Sequence, residues 1–213
     1  MSFGALALVL MAVYFALLLL AIRYVDWRAL ARDTGLQHRL GVAAALLIVL
    51  WSLRAGISDG LEIHFFMVSA LHLVFGWQLA MLVVTVALLA LTVLGSADWY
   101  SLGLSGIVSG VLPILCTFAF WKLHKAKTPH NPFAFIFLVA SLGAVVATVV
   151  SALFLSTVLW LNGDVTLTQL QNELWIFLPL MALPEGAING MLIAAMIVYV
   201  PDWVKLFEER RYK

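Results

Sequence analysis

From Phe3 to Ile22 the chain reads FGALALVLMAVYFALLLLAI without one charged side chain, and comparably bare stretches recur to its end. Apolar runs of about 20 residues are what a helix needs to cross ~30 Å of hydrocarbon. Inside lipid every backbone polar group must be satisfied within the spanning structure, which leaves helices and closed barrels. Composition agrees with this reading. Of 213 residues, 64% are hydrophobic and 11% are charged, against about 45–50% and about 25% in soluble domains. With a mean hydropathy of +1.08, too little polar surface remains to wrap a water-soluble core. A soluble enzyme, a nucleic-acid binder and a disordered chain are excluded. The expected fold class is all-α: a polytopic transmembrane helical bundle forming one integral membrane domain over residues 1–213.

Seven helical segments are expected. They run from Ala5 to Ile22, Leu40 to Arg54, His64 to Phe75, Gln78 to Leu94, Gly103 to Trp121, Pro132 to Leu161, and Trp175 to Val200. The third is too short to span alone at ~1.5 Å per residue, and Gly76-Trp77 separates it from the fourth. Pro179 and Pro184 predict a broken last helix. The first segment has no basic residue before it and is longer than a signal-peptide core, so it is read as a retained span. Arg23, Arg28, Arg32, Arg39, Lys122, Lys125, Lys127, Lys205, Arg210, Arg211 and Lys213 fall on one side, leaving Arg54 as the one other basic residue. The positive-inside rule assigns that side to the cytoplasm, with the N-terminus outside and the C-terminus inside. This parity requires the His64 segment and the Gln78 span to form a hairpin that enters and returns. The expected location is a bacterial-type cytoplasmic (inner) membrane, crossed several times.

Small residues four apart, Gly106 with Gly110, Gly186 with Gly190 and Gly143 with Ala147, mark faces where helices approach closely. Packing within the chain is the ordinary use of such spacing, and docking of a partner subunit the other. Cys116 stands alone in an apolar run, so no internal disulfide forms and a small buried hydrophobe is expected there.

Ionisable groups inside a membrane are costly and mark function. Asp59, Glu62 and His64 fall close together before the short segment, with Met67, Ser69 and His72 further in. If the segment is helical throughout, His64 and His72 lie about 80° apart and border one cavity. On the last segment Glu185 and Asn189 share a face, and Pro184 frees backbone beside them. Imidazole with nearby carboxylates suits a divalent ion such as nickel, cobalt, copper or zinc, so Asp59, Glu62, His64 and His72 are candidate metal ligands. Met67, Ser69, Glu185 and Asn189 are candidate cavity-lining or structural residues. A membrane histidine also serves as a hydrogen-bonded helix contact, and Glu185 could pair with Arg54 or bind backbone. His38, His124 and His130 are expected to be solvated in cytoplasmic loops. No GxxxxGK[ST], HExxH, CxxC or GxSxG pattern occurs, so neither an ATPase nor an enzyme is expected. No covalently bound cofactor and no nucleic-acid partner are expected.

The stretch GLEIHFFMVSALHLVFGWQLAMLVVTVALLALTVLG resembles the cobalt/nickel-type permease, the substrate-binding membrane component of energy-coupling-factor ABC transporters. In that family a small residue and a histidine open a short apolar segment, and a later glycine introduces a long aliphatic span ending in glycine. His64, Gly76 and Gly95 take those positions. ALPEGAINGMLIAAMIVYV resembles the closing helix, with Glu185 at the head of its small-residue run. The resemblance implies uptake of a nickel- or cobalt-class ion as substrate, with a transmembrane coupling subunit and ATPase subunits on other chains. Members typically begin Met-His and use those residues as ligands, whereas this chain reads Met1-Ser2-Phe3-Gly4. Of the ligand set only His64 carries over. Either Asp59, Glu62 or His72 substitutes, or the chain is a divergent branch with another substrate. A scaffold or assembly factor that keeps the permease fold without transport is the alternative function.

Overall fold

The computed structural model describes residues 3–53, 55–56, 62–63, 66–128 and 131–207. Helix α1 covers Phe3–Tyr24, α2 Trp27–Arg32 and α3 Thr34–Ser52. A two-residue antiparallel ladder then pairs β1 (Ala55–Gly56) with β2 (Glu62–Ile63). Helix α4 is Val68–Phe75 and α5 is Trp77–Val93. The long helices α6 (Trp99–Lys127), α7 (Pro132–Asn162) and α8 (Leu167–Tyr199) complete the bundle. Among the described residues α1, α3, α6, α7 and α8 are long and apolar enough to cross a membrane, and α5 is a shorter apolar helix of 17 residues. All seven expected segments are present, so the chain is an all-helical transmembrane bundle.

Several boundaries differ from the sequence reading, each for a local reason. Helix α3 starts at Thr34 rather than Leu40 because the Asp33 carboxylate accepts from the Leu36 N–H at 2.8 Å, a stabilising N-cap. His38 and Arg39 therefore ride on its first turns. The first loop contains a helix the sequence reading missed, α2, capped by Asp26, which accepts from the Ala29 N–H at 2.9 Å. Helix α8 begins at Leu167 behind a Thr166–Gln169 capping box. A turn at residues 176–177 interrupts it just ahead of Pro179, and from Leu178 it continues through Pro184 to Tyr199, so the expected break falls beside Pro179 and not at Pro184. Pro179 sits in the first turn after Phe177, where the missing N–H costs nothing. His124 is not solvated. It is buried at the end of α6, with Nδ1 3.0 Å from the Thr128 hydroxyl and its ring edge-on to Phe135. Cys116 is half-buried, and His130 lies outside the described residues.

Close approach at small residues is intramolecular at the glycine pairs. A Cβ built on Gly106 would overlap the Tyr14 ring, and one on Gly110 would lie 2.9 Å from Val84 Cγ1. On α8, a Cβ at Gly186 would lie 2.8 Å from the Ser141 carbonyl oxygen, and one at Gly190 would overlap the Ser141 hydroxyl. Interhelical hydrogen bonds add to this packing. Thr85 donates to the Met81 carbonyl at 2.7 Å, so the buried Tyr14 hydroxyl donates to Thr85 at 2.8 Å. Ser151 donates to the Val108 carbonyl at 2.7 Å, inside a stretch of α6, Ile107–Val111, that widens to π geometry. Such widening releases backbone groups, and the Ser151 hydroxyl satisfies one.

One apolar core joins α1, α3, α5 and the first half of α6 around Tyr14, Trp51, Val84 and Leu91. A second gathers Leu73 and Phe75 of α4, Phe135 and Val139 of α7, Ile193 of α8, and Val204 and Phe207 of the segment after α8. The rings of Tyr24 and Trp77 meet at 6.2 Å, and the Trp121 indole donates to the Leu206 carbonyl at 3.1 Å. The end of α1, the start of α5, the end of α6 and the chain after α8 therefore share one end of the bundle. Helix α4 points to that same end, and α5 returns from it. The required hairpin is present.

Candidate functional site

The site is organised around α4, whose eight residues reach only ~12 Å at 1.5 Å per residue. A helix this short has orphan N–H groups along half its length and orphan carbonyls along the other half, and burial makes each costly. Every residue from Val68 to Phe75 except Leu71 is buried. Its isolated backbone is therefore stable only if other elements cap both ends.

The N-terminal cap comes from α8. Glu185, 2% exposed, accepts from the Phe66 N–H through Oε2 at 3.0 Å and from the Met67 N–H through Oε1 at 2.7 Å. Asn189, one turn on and fully buried, accepts from the Ala70 N–H at 2.8 Å. Its amide nitrogen donates to the Glu185 carbonyl and to Glu185 Oε1, each at 2.8 Å, with Met67 Sδ at 3.5 Å. A carboxylate at a helix N-terminus is favoured by the aligned peptide dipoles as well as by the bonds themselves. The i,i+4 spacing lets one face of α8 reach three backbone donors on a distant segment. Met67, the residue that turns the chain into α4, has φ 54, a left-handed conformation.

The C-terminal cap comes from the chain after α8. The backbone N–H groups of Lys205 and Leu206 donate to the Val74 and Leu73 carbonyls, both at 3.1 Å. Gly76, at φ 81, makes the turn into α5, and a Cβ there would lie 3.2 Å from Lys205 Nζ. A cation at a helix C-terminus complements the negative end of its dipole.

The sequence candidates fall out as follows. Glu185, Asn189 and Met67 come together at the α4 N-terminus. Ser69 points instead to α6, where its hydroxyl lies 2.8 Å from that of Thr117, which itself donates to the Pro113 carbonyl at 2.8 Å. His72 is 1% exposed, edge-on to Phe118 at 6.2 Å between ring centres, with no hydrogen-bond partner for either ring nitrogen among the described residues. Asp59 and His64 lie outside the described residues, and Glu62 is described only as backbone in β2. Among the described residues α4 begins only at Val68, after the left-handed Met67. The shared helical face expected for His64 and His72 involves a residue outside the described ones. Among the described residues, no three His, Cys, Asp or Glu side chains gather as a metal site. Sequence reasoning missed Thr117 and the 205–206 backbone. The apolar Trp203, Val204 and Phe207 set among charges were the available signal.

A family model described as the cobalt uptake substrate-specific transmembrane region matches residues 3–203. The chain belongs to that family. Its members are membrane components of metal uptake, which makes this chain a multi-pass membrane protein of that kind. The bundle is similar to a solved structure titled as a transition metal transporter, with a TM-score of 0.70 and 15% sequence identity over 91% of this chain and 88% of that one. At that identity the likeness is one of fold. No protein in a search of curated sequences matches the chain.

Proposed function

We propose that this cobalt-uptake family chain binds a divalent transition-metal ion of the nickel or cobalt class as substrate. The ion would bind near His64, with Asp59 or Glu62 drawing cations toward it. Neutral imidazole would donate to the ion, and the acidic side chains would draw cations and balance charge. The observation that carries this reading is the family match along residues 3–203. The geometry supports it further: Glu185 grips the backbone at Phe66 and Met67, two and three positions after His64 in the chain. Positioning of the binding segment is thus the role proposed for Glu185 and Asn189. The Lys205 ammonium beside the end of α4 favours the outer residues over His72 as ligands.

The single membrane domain, residues 1–213, would lie with its N-terminus outside and its C-terminus in the cytoplasm. The basic residues Arg39, Lys122, Lys125, Lys127 and Lys205 all sit on helix ends or tail at the end of the bundle to which α4 points, as the positive-inside rule requires. The membrane would be a bacterial-type inner membrane. Energy would come from a coupling subunit and ATPase subunits on other chains, since no phosphate-binding loop occurs in this sequence.

The test is the metal content of detergent-purified protein, measured by mass spectrometry after incubation with nickel, cobalt, copper and zinc, with His64→Ala alongside. Near-stoichiometric retention of one ion, lost in the variant, is expected. Retention unchanged in His64→Ala, or no retention by well-folded protein, would overturn the assignment and favour a scaffold that keeps the fold.

A further inference from the structure

Among the described residues, one flank of α4 has no helix over it. Met67, Ala70, Leu71 and Val74 form the inner wall of a cavity of about 640 Å³ that lies between α3 and α8. It opens outward, where Val42, Leu46 and Leu192 are exposed. The polar side chains lining it are confined to one end, where His38 and Arg39 stand on the first turns of α3 beside Trp203. The Arg39 guanidinium lies 4.8 Å over the Trp203 ring. It donates to the Gly35 carbonyl at 3.2 Å and sits 3.7 Å from the Asp33 carboxylate, which is half exposed. An ion pair that long and that exposed is weak, so the guanidinium keeps the capacity to take a stronger anion.

We propose that this groove holds the acyl chain of an anionic phospholipid whose phosphate sits on Arg39 and His38. Three features of the groove fit that occupant. From Arg39 to Leu50 along α3 is about 17 Å at 1.5 Å per residue, close to one leaflet of a ~30 Å hydrocarbon core. The apolar part lies on the lipid side and the cationic part at the helix end, the order of tail and headgroup in a leaflet. A guanidinium flanked by an indole marks the depth of the membrane interface, where Trp collects, and basic pockets between helices on that side recognise anionic headgroups. The lipid would cover the open flank of the helix that the site is built on. A Trp or Phe from a partner's helix would fill the volume but leave Arg39 without its anion.

Matched-chain phosphatidylglycerol and phosphatidylcholine, reconstituted in equal amounts with the full chain and re-extracted in mild detergent, test this by native mass spectrometry. The expected result is one retained phospholipid per chain, with phosphatidylglycerol favoured roughly fivefold for one headgroup-binding cation. Arg39→Glu removes the preference, whereas Arg28→Glu, away from the groove, leaves it. Ala43→Trp, which fills the groove, abolishes retention. Leu46→Trp fills it from the exposed rim and serves if the first variant fails to fold. Equal retention of the two lipids, a preference that survives Arg39→Glu, or retention that survives a filled groove would each overturn the proposal. A groove that stays free of lipid would do the same, and would leave a transmembrane helix of another subunit as its occupant.

Discussion

Replacing Glu185 tests whether α4 is held in place from α8. The carboxylate accepts from two backbone donors, Phe66 at 3.0 Å and Met67 at 2.7 Å, and from Asn189 at 2.8 Å. In Glu185→Ala both backbone N–H groups lose their acceptor in a buried place, at about 1–3 kcal/mol each. Asn189 keeps its bond to the Glu185 carbonyl, so its amide adds little. Removing a buried carboxylate returns part of its desolvation cost, which leaves a net loss of roughly 2–4 kcal/mol. For a domain of this size each kcal/mol moves Tm by about 2–4 °C, so the expected fall is about 4–16 °C. Glu185→Gln keeps one acceptor but turns its NH2 toward the second donor. It should fall between wild type and Ala.

The assay is thermal unfolding of detergent-purified protein by tryptophan fluorescence, at one scan rate because unfolding of such proteins is often irreversible. A double mutant with Asn189→Ala should lose less than the sum of the singles, because the two side chains are hydrogen-bonded to each other and cap the same helix. An Ala variant that melts with wild type, or a Gln variant indistinguishable from it, would refute the idea that the charged carboxylate anchors α4. Strict additivity would refute the shared cap.

Gly186→Ala should lower Tm, since its Cβ would lie 2.8 Å from the fixed Ser141 carbonyl oxygen and overpacking costs about 1–3 kcal/mol. Gly143→Ala, whose Cβ would meet Phe120 at an ordinary 3.6 Å, should melt at or above wild type in the same assay. Met67→Val should be less stable than Met67→Leu by about 1 kcal/mol, because a β-branched residue fits poorly at φ 54; equal melting temperatures would count against the left-handed turn. Tyr14→Phe removes a buried bond to Thr85 and should cost about 0.6–1.7 kcal/mol, the range for interhelical bonds in membranes.

The spans were legible because lipid enforces them: a run of apolar residues has one helical solution. What competed with that rule was the treatment of charge as a loop marker. Arg39 delayed the expected start of α3, yet Asp33 caps that helix ahead of it. Lys122, Lys125 and Lys127 suggested a solvated loop around His124, although that histidine turns inward against Phe135. On a helix near the interface the neighbours of a charged residue still have a buried face, and spacing rather than composition decides it. Pro184 misled in the other direction, since a single missing bond does not break a helix whose flank is packed through Gly186 and Gly190 against Ser141.

The site was half legible for a reason of the same kind. Glu185 and Asn189 stood out as a polar i,i+4 pair in apolar surroundings, but their targets are backbone N–H groups 118 and 119 positions away, and amide groups leave no mark on a sequence. The other end of α4 is closed by amides of Lys205 and Leu206, equally silent. Taken together these caps explain why an eight-residue helix can be buried at all, and they restrict how it can move. Displacing α4 toward either end of the bundle requires the Glu185–Asn189 grip or the 205–206 bonds to open, each exposing buried donors or carbonyls at about 1–3 kcal/mol apiece. If the proposed ion site ahead of Phe66 exists, a conformational change that releases the ion has to move α8 and its trailing segment along with α4, because a shift of α4 alone leaves orphan groups at one end.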